Sequence, residues 1–184
     1  MYKWGCKSRR VGYSFIEALL KLARVMLRDT SYHVTFISYT LEEAINKIEY
    51  ARMVYDEMPT EWKRRKMRDR KQSIEFSDDS KNIVTKLLSH AQRAPRGNGG
   101  SIVLDEMAHY QWADKILEAA LACILTGDGD ITMFSTPYGE GDPFHQVGSN
   151  LEKYPTYSRH WVYWWECSWL CKDVNLAKKY APSM

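Results

Sequence analysis

Short apolar, β-branched runs alternate along the chain with longer segments in which apolar residues recur every three or four positions. The short runs predict β-strands and the longer segments predict amphipathic helices. The predicted strands are residues 2–6, 33–39, 73–77, 101–104, 131–134 and the aromatic stretch 161–169.

Three segments have the apolar spacing of helices. Residues 12–28 form the first, with one apolar stripe that consists of Phe15, Leu19, Leu22, Ala23 and Met26. The second follows Thr40, which forms a capping-box pattern with Glu43 three residues later, and stops before Pro59. Gly127 is predicted to end the third, whose residues in register are Trp112, Ile116, Ala120 and Ile124.

Alternating strands and helices predict an α/β fold, with a mostly parallel sheet that is covered by helices on both faces. Ligands of such sheets bind beyond the carboxyl ends of the strands. The loops 7–14, 105–106 and 135–137 follow predicted strands at such ends. These three loops are therefore the candidate functional segments.

The composition is that of one soluble globular domain, so residues 1–184 are interpreted as a single unit. A net charge of +3 is compatible with a nucleic-acid partner but does not argue for one. The four cysteines form no CxxC pair and predict reduced intracellular thiols. No apolar run reaches the ~20 residues of a membrane helix and the start is not a signal peptide, so we expect a cytoplasmic protein.

The loop Lys7-Ser8-Arg9-Arg10-Val11-Gly12-Tyr13-Ser14 lies between a predicted strand and a predicted helix. A phosphate-binding loop has the pattern GxxxxGK[ST] in that context. Gly12 and Ser14 match the second glycine and the hydroxyl, whereas Tyr13 stands at the usual lysine position and Lys7 at the first glycine. Helix N-terminal N–H groups favour phosphate oxygens, and Ser14 can supply a hydroxyl to Mg²⁺. The required cation can come from Lys7, Arg9 or Arg10, and an arginine can also stabilise transition-state charge.

The apolar strand 101–104 ends in two carboxylates, Asp105 and Glu106. Hydrolysis of ATP requires Mg²⁺ near the β and γ phosphates, which suits Asp105. It also requires a carboxylate that orients or deprotonates water, which suits Glu106. Two solvated acids at a strand end are the simpler interpretation of this motif by itself. Its order after the loop and before the strand that ends in Ser135-Thr136-Pro137 favours a nucleotide site.

Taken together, these motifs resemble the ATPase domain of the large terminase subunits of tailed bacteriophages. KSRRVGYS is similar to the variant P-loop of the lambda-type and Mu-type subunits, in which the lysine moves to the front of the loop. IVLDEMA resembles the Walker B strand with its catalytic glutamate, and FSTP resembles the coupling motif. The resemblance covers nearly the whole chain and implies a P-loop NTPase fold of the RecA/ASCE type.

The resemblance also implies residue roles. Lys7 would contact phosphate, Ser14 and Asp105 would serve Mg²⁺, and Glu106 would be the catalytic base. Arg9 or Arg10 would be the P-loop arginine. The coupling motif would be Ser135, Thr136 and Pro137. The cofactors would be ATP and Mg²⁺.

The implied function is an ATP-driven motor that moves double-stranded DNA into a procapsid. Its partners would be double-stranded DNA, the portal protein, the small terminase subunit and further copies of the chain in a ring. Its place would be the host cytoplasm, at the procapsid portal. Family members usually have an adenine-recognition segment before the P-loop and a nuclease domain after the ATPase. Neither is expected within this chain, so nuclease activity is not predicted.

Other features have a functional and a simpler interpretation. A basic run could contact DNA phosphates or form a solvated surface; it consists of Lys63, Arg64, Arg65, Lys66, Arg68, Arg70 and Lys71. Arg93 or Arg96 could act as a trans arginine finger, or lie in a loop without such a role. His109 could sense the nucleotide or lie on a helix surface. The tryptophans of 161–169 are interpreted as packing residues.

Two other functions remain open at this stage. One is another P-loop DNA translocase, although such proteins usually have a standard P-loop lysine and a second domain of this type. The other is a non-hydrolysing interaction module or fragment that derives from such an ATPase. Nucleotide binding and turnover discriminate the second alternative from the motor.

Overall fold

The computed structural model describes residues 2–92, 95, 100–125 and 128–180. Its strands are β1 (Tyr2–Lys7), β2 (Tyr32–Ser38), β3 (Arg65–Arg70), β4 (Ser73–Asp78), β5 (Ile83–Ala91), β6 (Ser101–Asp105), β7 (Ile131–Ser135) and β8 (Tyr157–Val162). The α-helices are α1 (Tyr13–Leu27), α2 (Leu41–Glu57), α3 (Ala113–Ile124), α4 (Pro143–Ser149) and α5 (Val174–Tyr180). Short 3₁₀ helices cover Thr60–Trp62, Met107–His109 and Trp164–Glu166.

All eight strands form one sheet with the order β3-β4-β5-β2-β6-β7-β1-β8. The strands from β5 to β8 in this order pair in parallel, whereas β3 and β4 are antiparallel additions at one edge. Strand β7 lies between β1 and β6, so the carboxyl ends of these three strands are adjacent. The predicted α/β class with a mostly parallel, P-loop-type sheet is confirmed.

Every residue of β6 and β7 is buried, because both faces of the sheet are covered. One core, on the side of α3 and α4, includes Trp4, Leu104, Ile116 and Met133. The other, on the side of α1 and α2, includes Leu22, Phe36, Ile48 and Phe76. The two cores hold the central strands, and thus the strand ends that carry the candidate motifs.

The apolar stripe predicted for α1 is partly wrong. Leu22 and Met26 are buried as predicted, but Ala23 is exposed. The buried face of the helix is Glu17, Ala18, Lys21, Leu22, Val25 and Met26. A pattern of apolar residues misses this face because Lys21 is buried through its ion pair with Asp130, at 2.7 Å.

Three further differences concern strands. The basic segment after Pro59 contains β3, which has no apolar alternation because it is an exposed edge strand. Strand β5 was absent from the predicted elements. The aromatic stretch predicted as a strand is β8 followed by the 3₁₀ helix Trp164–Glu166, so that prediction is only partly correct. Gly127 lies outside the described residues.

Candidate functional site

The predicted phosphate loop connects β1 to α1 and turns sharply. Lys7 ends β1, and Tyr13 begins α1 with Gly12 as its N-cap. Arg10 and Gly12 both have left-handed backbone conformations, with φ of 61° and 76°. Glycine adopts this conformation without the steric cost of a Cβ, which accounts for the residue type at the N-cap. The Ser8 N–H donates to the Val162 carbonyl at 2.8 Å, which ties the loop to the end of β8.

A cleft of about 570 Å³ opens where the carboxyl ends of β1, β6 and β7 meet. Its lining residues are Lys7, Arg9, Arg10, Ser14, Tyr39, Glu43, Glu106, His109, Thr136 and Tyr138. Arg9 and Arg10 are exposed, whereas Lys7 is buried at the base of the loop. The cleft therefore combines three cations with a helix N-terminus, a combination that suits a phosphate ligand.

Glu106 lies at the centre of this cleft. Its backbone is left-handed, with φ of 57°, and its N–H donates to the Phe134 carbonyl at 2.8 Å. The Lys7 ammonium donates to Oε1 at 2.5 Å, and the Thr136 N–H donates to Oε2 at 2.9 Å. The hydroxyls of Ser135 and Thr136 each lie 3.2 Å from Oε2. Both carboxylate oxygens are thus held by groups from other strands.

These contacts set the charge state of Glu106. Burial by itself would raise its pKa, but the Lys7 ammonium and the hydrogen bonds from Thr136 and Ser135 outweigh burial and hold the pKa below its usual range. Glu106 is therefore a carboxylate at neutral pH. A charged, oriented carboxylate can orient water and accept a proton from it.

Asp105 occupies the buried last position of β6, behind Glu106. The Ser14 Oγ lies 3.4 Å from Oδ1 and 3.5 Å from Oδ2 of Asp105. Lys47, from the second turn of α2, forms a buried ion pair with Oδ2. Burial raises the pKa of Asp105, and the Lys47 ammonium opposes that shift. The structure thus brings together both predicted metal-serving residues and adds a cation that the sequence did not indicate.

The oxygens of Ser14 and Asp105 are hard donors of the kind that Mg²⁺ prefers. Among the described residues, no group of three or more His, Cys, Asp or Glu side chains is placed to hold a metal ion. Mg²⁺ sites commonly use one or two protein carboxylates together with substrate phosphates and water. The donor set therefore fits an ion that is bound together with a nucleotide.

The predicted coupling motif divides into two parts. Ser135 and Thr136 are buried and contact Glu106, as described above. Ser135 also accepts the Ala108 N–H at 3.2 Å. Pro137 is exposed and lines a neighbouring cavity of about 250 Å³, between α4 and β8.

Tyr13 and Val11 turn their side chains away from the cleft. The Tyr13 ring packs against Phe134 with ring centroids 4.8 Å apart, and its hydroxyl lies close to Gly5. Val11 is buried. These two residues can therefore offer a phosphate only their backbone N–H groups, and the charge has to come from Lys7, Arg9 and Arg10.

His109 lies at the cleft. It belongs to the 3₁₀ helix Met107–His109, and its Nε2 lies 3.0 Å from the Thr136 Oγ1. Its ring packs against Tyr138 with ring centroids 4.6 Å apart. Lys47, Tyr39 and Tyr138 are site residues that the sequence analysis missed, because no motif identifies them.

Most of the basic run is paired within the domain. Arg65 pairs with Asp79, Lys66 with Asp56 and Asp69, and Arg68 with Glu75. The Arg64 guanidinium donates to the carbonyls of Val25 and Arg28. These contacts favour a structural role for much of the run, at the edge of the sheet. Arg93 and Arg96 lie outside the described residues.

Comparison with solved structures gives the same fold. The large terminase ATPase domain of Thermus phage P74-26 superimposes with a TM-score of 0.67 and 15% identity, over 99% of this chain and 84% of that one. The large terminase of a thermophilic bacteriophage, in complex with ADP, gives 0.72 and 13% identity, over 98% of this chain and 45% of that one. The HK97 bacteriophage large terminase gives 0.62 and 16% identity, over 86% and 35%. The chain thus has the fold of phage large-terminase ATPase domains and spans under half the length of the last two proteins.

No protein-family model and no curated protein sequence matches the chain significantly. None of the helices in the described ranges is long and apolar enough to cross a membrane.

Proposed function

We propose that this chain is the ATP-hydrolysing motor domain of a phage DNA-packaging terminase, and that the cleft around Glu106 is its nucleotide site. The observation that carries the proposal is the placement of Glu106 between the Lys7 ammonium and the Thr136 N–H, at 2.5 and 2.9 Å. This carboxylate stands at the carboxyl ends of parallel strands, beside a helix N-terminus whose loop is basic. The fold of the phage large-terminase ATPase domains supports the same conclusion.

In this proposal the loop 7–14 binds the phosphates of ATP. The backbone N–H groups at the start of α1 attract phosphate oxygens, as helix N-termini do. Lys7 provides the cation beside the β and γ phosphates, because Tyr13 fills the usual lysine position with a ring that packs on Phe134. Arg9 or Arg10 stabilises the negative charge of the transition state from the rim of the cleft.

Glu106 is the proposed general base. In the structure its Oε1 is paired with Lys7, so the carboxylate is not free to receive a proton. A γ-phosphate offers Lys7 a second acceptor, and transfer of the ammonium to it frees Oε1 to orient water and accept its proton. Thr136 holds Oε2 meanwhile and keeps the carboxylate aimed at the cleft.

Ser14 and Asp105 are the proposed Mg²⁺ residues. A bound Mg²⁺ ion neutralises charge on the β and γ phosphate oxygens during phosphoryl transfer. The Ser14 hydroxyl and the Asp105 carboxylate, 3.4 Å apart, offer oxygen donors at the start of α1 and the end of β6. Nearby, Ser135 and Thr136 contact the proposed base, and Pro137 follows them. We propose that this segment transmits hydrolysis to movement of the domain.

The proposed partners follow from a packaging motor. They are double-stranded DNA, the portal protein, the small terminase subunit and neighbouring copies of this chain in a ring. The proposed place of action is the host cytoplasm, at the procapsid portal. The solved large terminase that contains ADP, and a second one that contains ATP-γ-S, support a nucleotide as the ligand of the cleft.

Hydrolysis of ATP by the purified protein, with Mg²⁺ and with or without linear duplex DNA, tests the proposal. We expect Glu106→Gln to lower turnover by about 10²- to 10⁴-fold, the range of general base catalysis, while nucleotide binding persists. The control is Glu42→Gln, the same change at an exposed residue near the start of α2. Acceleration by duplex DNA is expected for a packaging motor.

Turnover that survives in Glu106→Gln would contradict the assignment of the base. Nucleotide binding without turnover in the wild-type protein would favour the alternative function, a non-hydrolysing interaction module that derives from such an ATPase. Turnover that duplex DNA leaves unchanged would contradict the motor while it retained an ATPase.

A further inference from the structure

Lys47 is a buried charge beside the proposed metal residues. It lies in the second turn of α2, and only 5% of the residue is exposed. Its ammonium donates to the Glu43 carbonyl at 3.0 Å and forms an ion pair with the Asp105 carboxylate. Asp105 is itself only 3% exposed. The two charges are therefore taken out of water together.

A buried ammonium or carboxylate is costly unless an opposite charge compensates it. Lys7, the other cation near Asp105, is engaged with Glu106 at 2.5 Å. Lys47 is thus the group in direct contact that compensates Asp105. The Ser14 hydroxyl, at 3.4 Å, contributes a weak neutral contact at most.

We propose that Lys47 is a positioning residue that occupies the Asp105 carboxylate when Mg²⁺ is absent and thereby limits how strongly Mg²⁺ binds. The inference rests on the proposed function, in which Asp105 serves the ion. One carboxylate would then be shared by two cations, which repel each other at short range. Lys47 spares the metal-free protein an unpaired buried carboxylate, and in exchange it weakens Mg²⁺ binding.

The chain contains a matched pair for comparison. Lys21 is also buried, at 4% exposure, and pairs with the buried Asp130 at 2.7 Å. Lys21 also donates to the Ser101 hydroxyl at the first residue of β6, whereas Lys47 contacts Asp105 at the last. Both pairs are expected to matter for folding, but only Lys47 lies at the proposed nucleotide site.

The experiment compares ADP affinity in Mg²⁺ with ADP affinity in EDTA, and uses the ratio of the two as the readout. Loss of Lys47 leaves Asp105 as an uncompensated charge that repels phosphates without the metal and attracts the metal more strongly. We expect Lys47→Met to raise the Mg²⁺-to-EDTA affinity ratio by about tenfold, a typical size for coupling between ligands. We expect Lys21→Met to leave the ratio unchanged, and Asp105→Asn to lower it toward one.

Circular dichroism reports whether each variant is folded. Should Lys47→Met fail to fold, Lys47→Gln decides, because its amide removes the charge while it keeps a donor for Asp105 and for the Glu43 carbonyl. The same rise in the ratio is expected. A merely structural role of Lys47 would weaken ADP binding equally under both conditions and leave the ratio where it was.

The outcomes separate this inference from the proposed function. A wild-type ratio of one would remove the metal site itself, and both proposals would fall together. A wild-type ratio above one that Asp105→Asn lowers, but that neither Lys47 variant raises, would overturn the role of Lys47 alone.

Discussion

Trp4 shows how one side chain fixes the position of a neighbouring element. Its indole N–H donates to the Phe144 carbonyl at 2.8 Å, and its ring stacks on Phe144 with centroids 4.8 Å apart. Gly148, one turn further along α4, lies directly against the indole. The absence of a Cβ at this position therefore determines how closely α4 approaches β1.

A methyl group at Gly148 has no room. A Cβ there would lie 2.6 Å from Cε2 and 2.9 Å from Cη2 of the Trp4 ring. We expect Gly148→Ala to lower the free energy of unfolding by about 1–3 kcal/mol, the usual cost of overpacking a core. Urea unfolding measures the change. Gly139→Ala is the control, since a Cβ there meets nothing within 4 Å; equal effects of both changes would contradict this account.

Helix α2 is the element whose limits were most clearly predicted from local sequence. The capping box is present, since Glu43 N–H donates to the Thr40 hydroxyl at 3.2 Å and Thr40 N–H donates to the Glu43 carboxylate at 3.1 Å. The helix ends at Glu57, two residues before Pro59, because the residue before a proline avoids helical conformation. Its buried face includes Lys47, which no apolar pattern indicates.

Removal of the cap is expected to cost stability without loss of the fold. Thr40→Ala should lower the free energy of unfolding by about 1 kcal/mol, because two N–H groups of the first turn lose their side-chain partners. Thermal unfolding followed by circular dichroism measures the loss. Thr30→Ala, at an exposed loop position, is the control and should change stability little. No difference between the two variants would mean that the cap contributes nothing.

At the scale of the whole molecule, the sheet buries ion pairs at both ends of β6. Asp130 precedes β7 and is contacted by Lys21 and Arg24 of α1, with the hydroxyl of Tyr32 at 3.4 Å. Burial by itself would raise the pKa of Asp130, but Lys21 outweighs burial, with support from Ser101 and Arg24, and holds it below 3.8. The cluster joins α1 to the amino ends of the central strands.

A pKa that is lowered by folding makes stability depend on pH in one direction. The contribution of Asp130 is fully present above the unfolded pKa of 3.8 and is lost as the pH falls through the lower folded value. We expect Asp130→Asn to cost about 3–5 kcal/mol at neutral pH, as a broken buried pair does, and the difference from wild type to shrink below about pH 4.

Urea unfolding of both proteins between neutral pH and about pH 3 measures this difference. Glu118→Gln, at an exposed position of α3, is the control and should show no such convergence. A difference between wild type and Asp130→Asn that stays constant across the range would contradict the assigned ion pair.

Local sequence by itself determined six strand segments, three helices, the capping box and the order of the three candidate motifs. These features depend on neighbours within a few positions, through periodicity, caps and turn residues, and can therefore be read along the chain. Strand β3 escaped because an exposed edge strand has no buried face to impose alternation.

The tertiary structure decided which charged groups meet. Lys7 and Glu106 are 99 positions apart, and Thr136 meets Glu106 across 30 positions. The Lys47–Asp105 and Lys21–Asp130 pairs likewise join a helix to a distant strand end. A buried lysine looks like a solvent-exposed one in sequence, because only the folded sheet brings its partner carboxylate within reach and removes both from water.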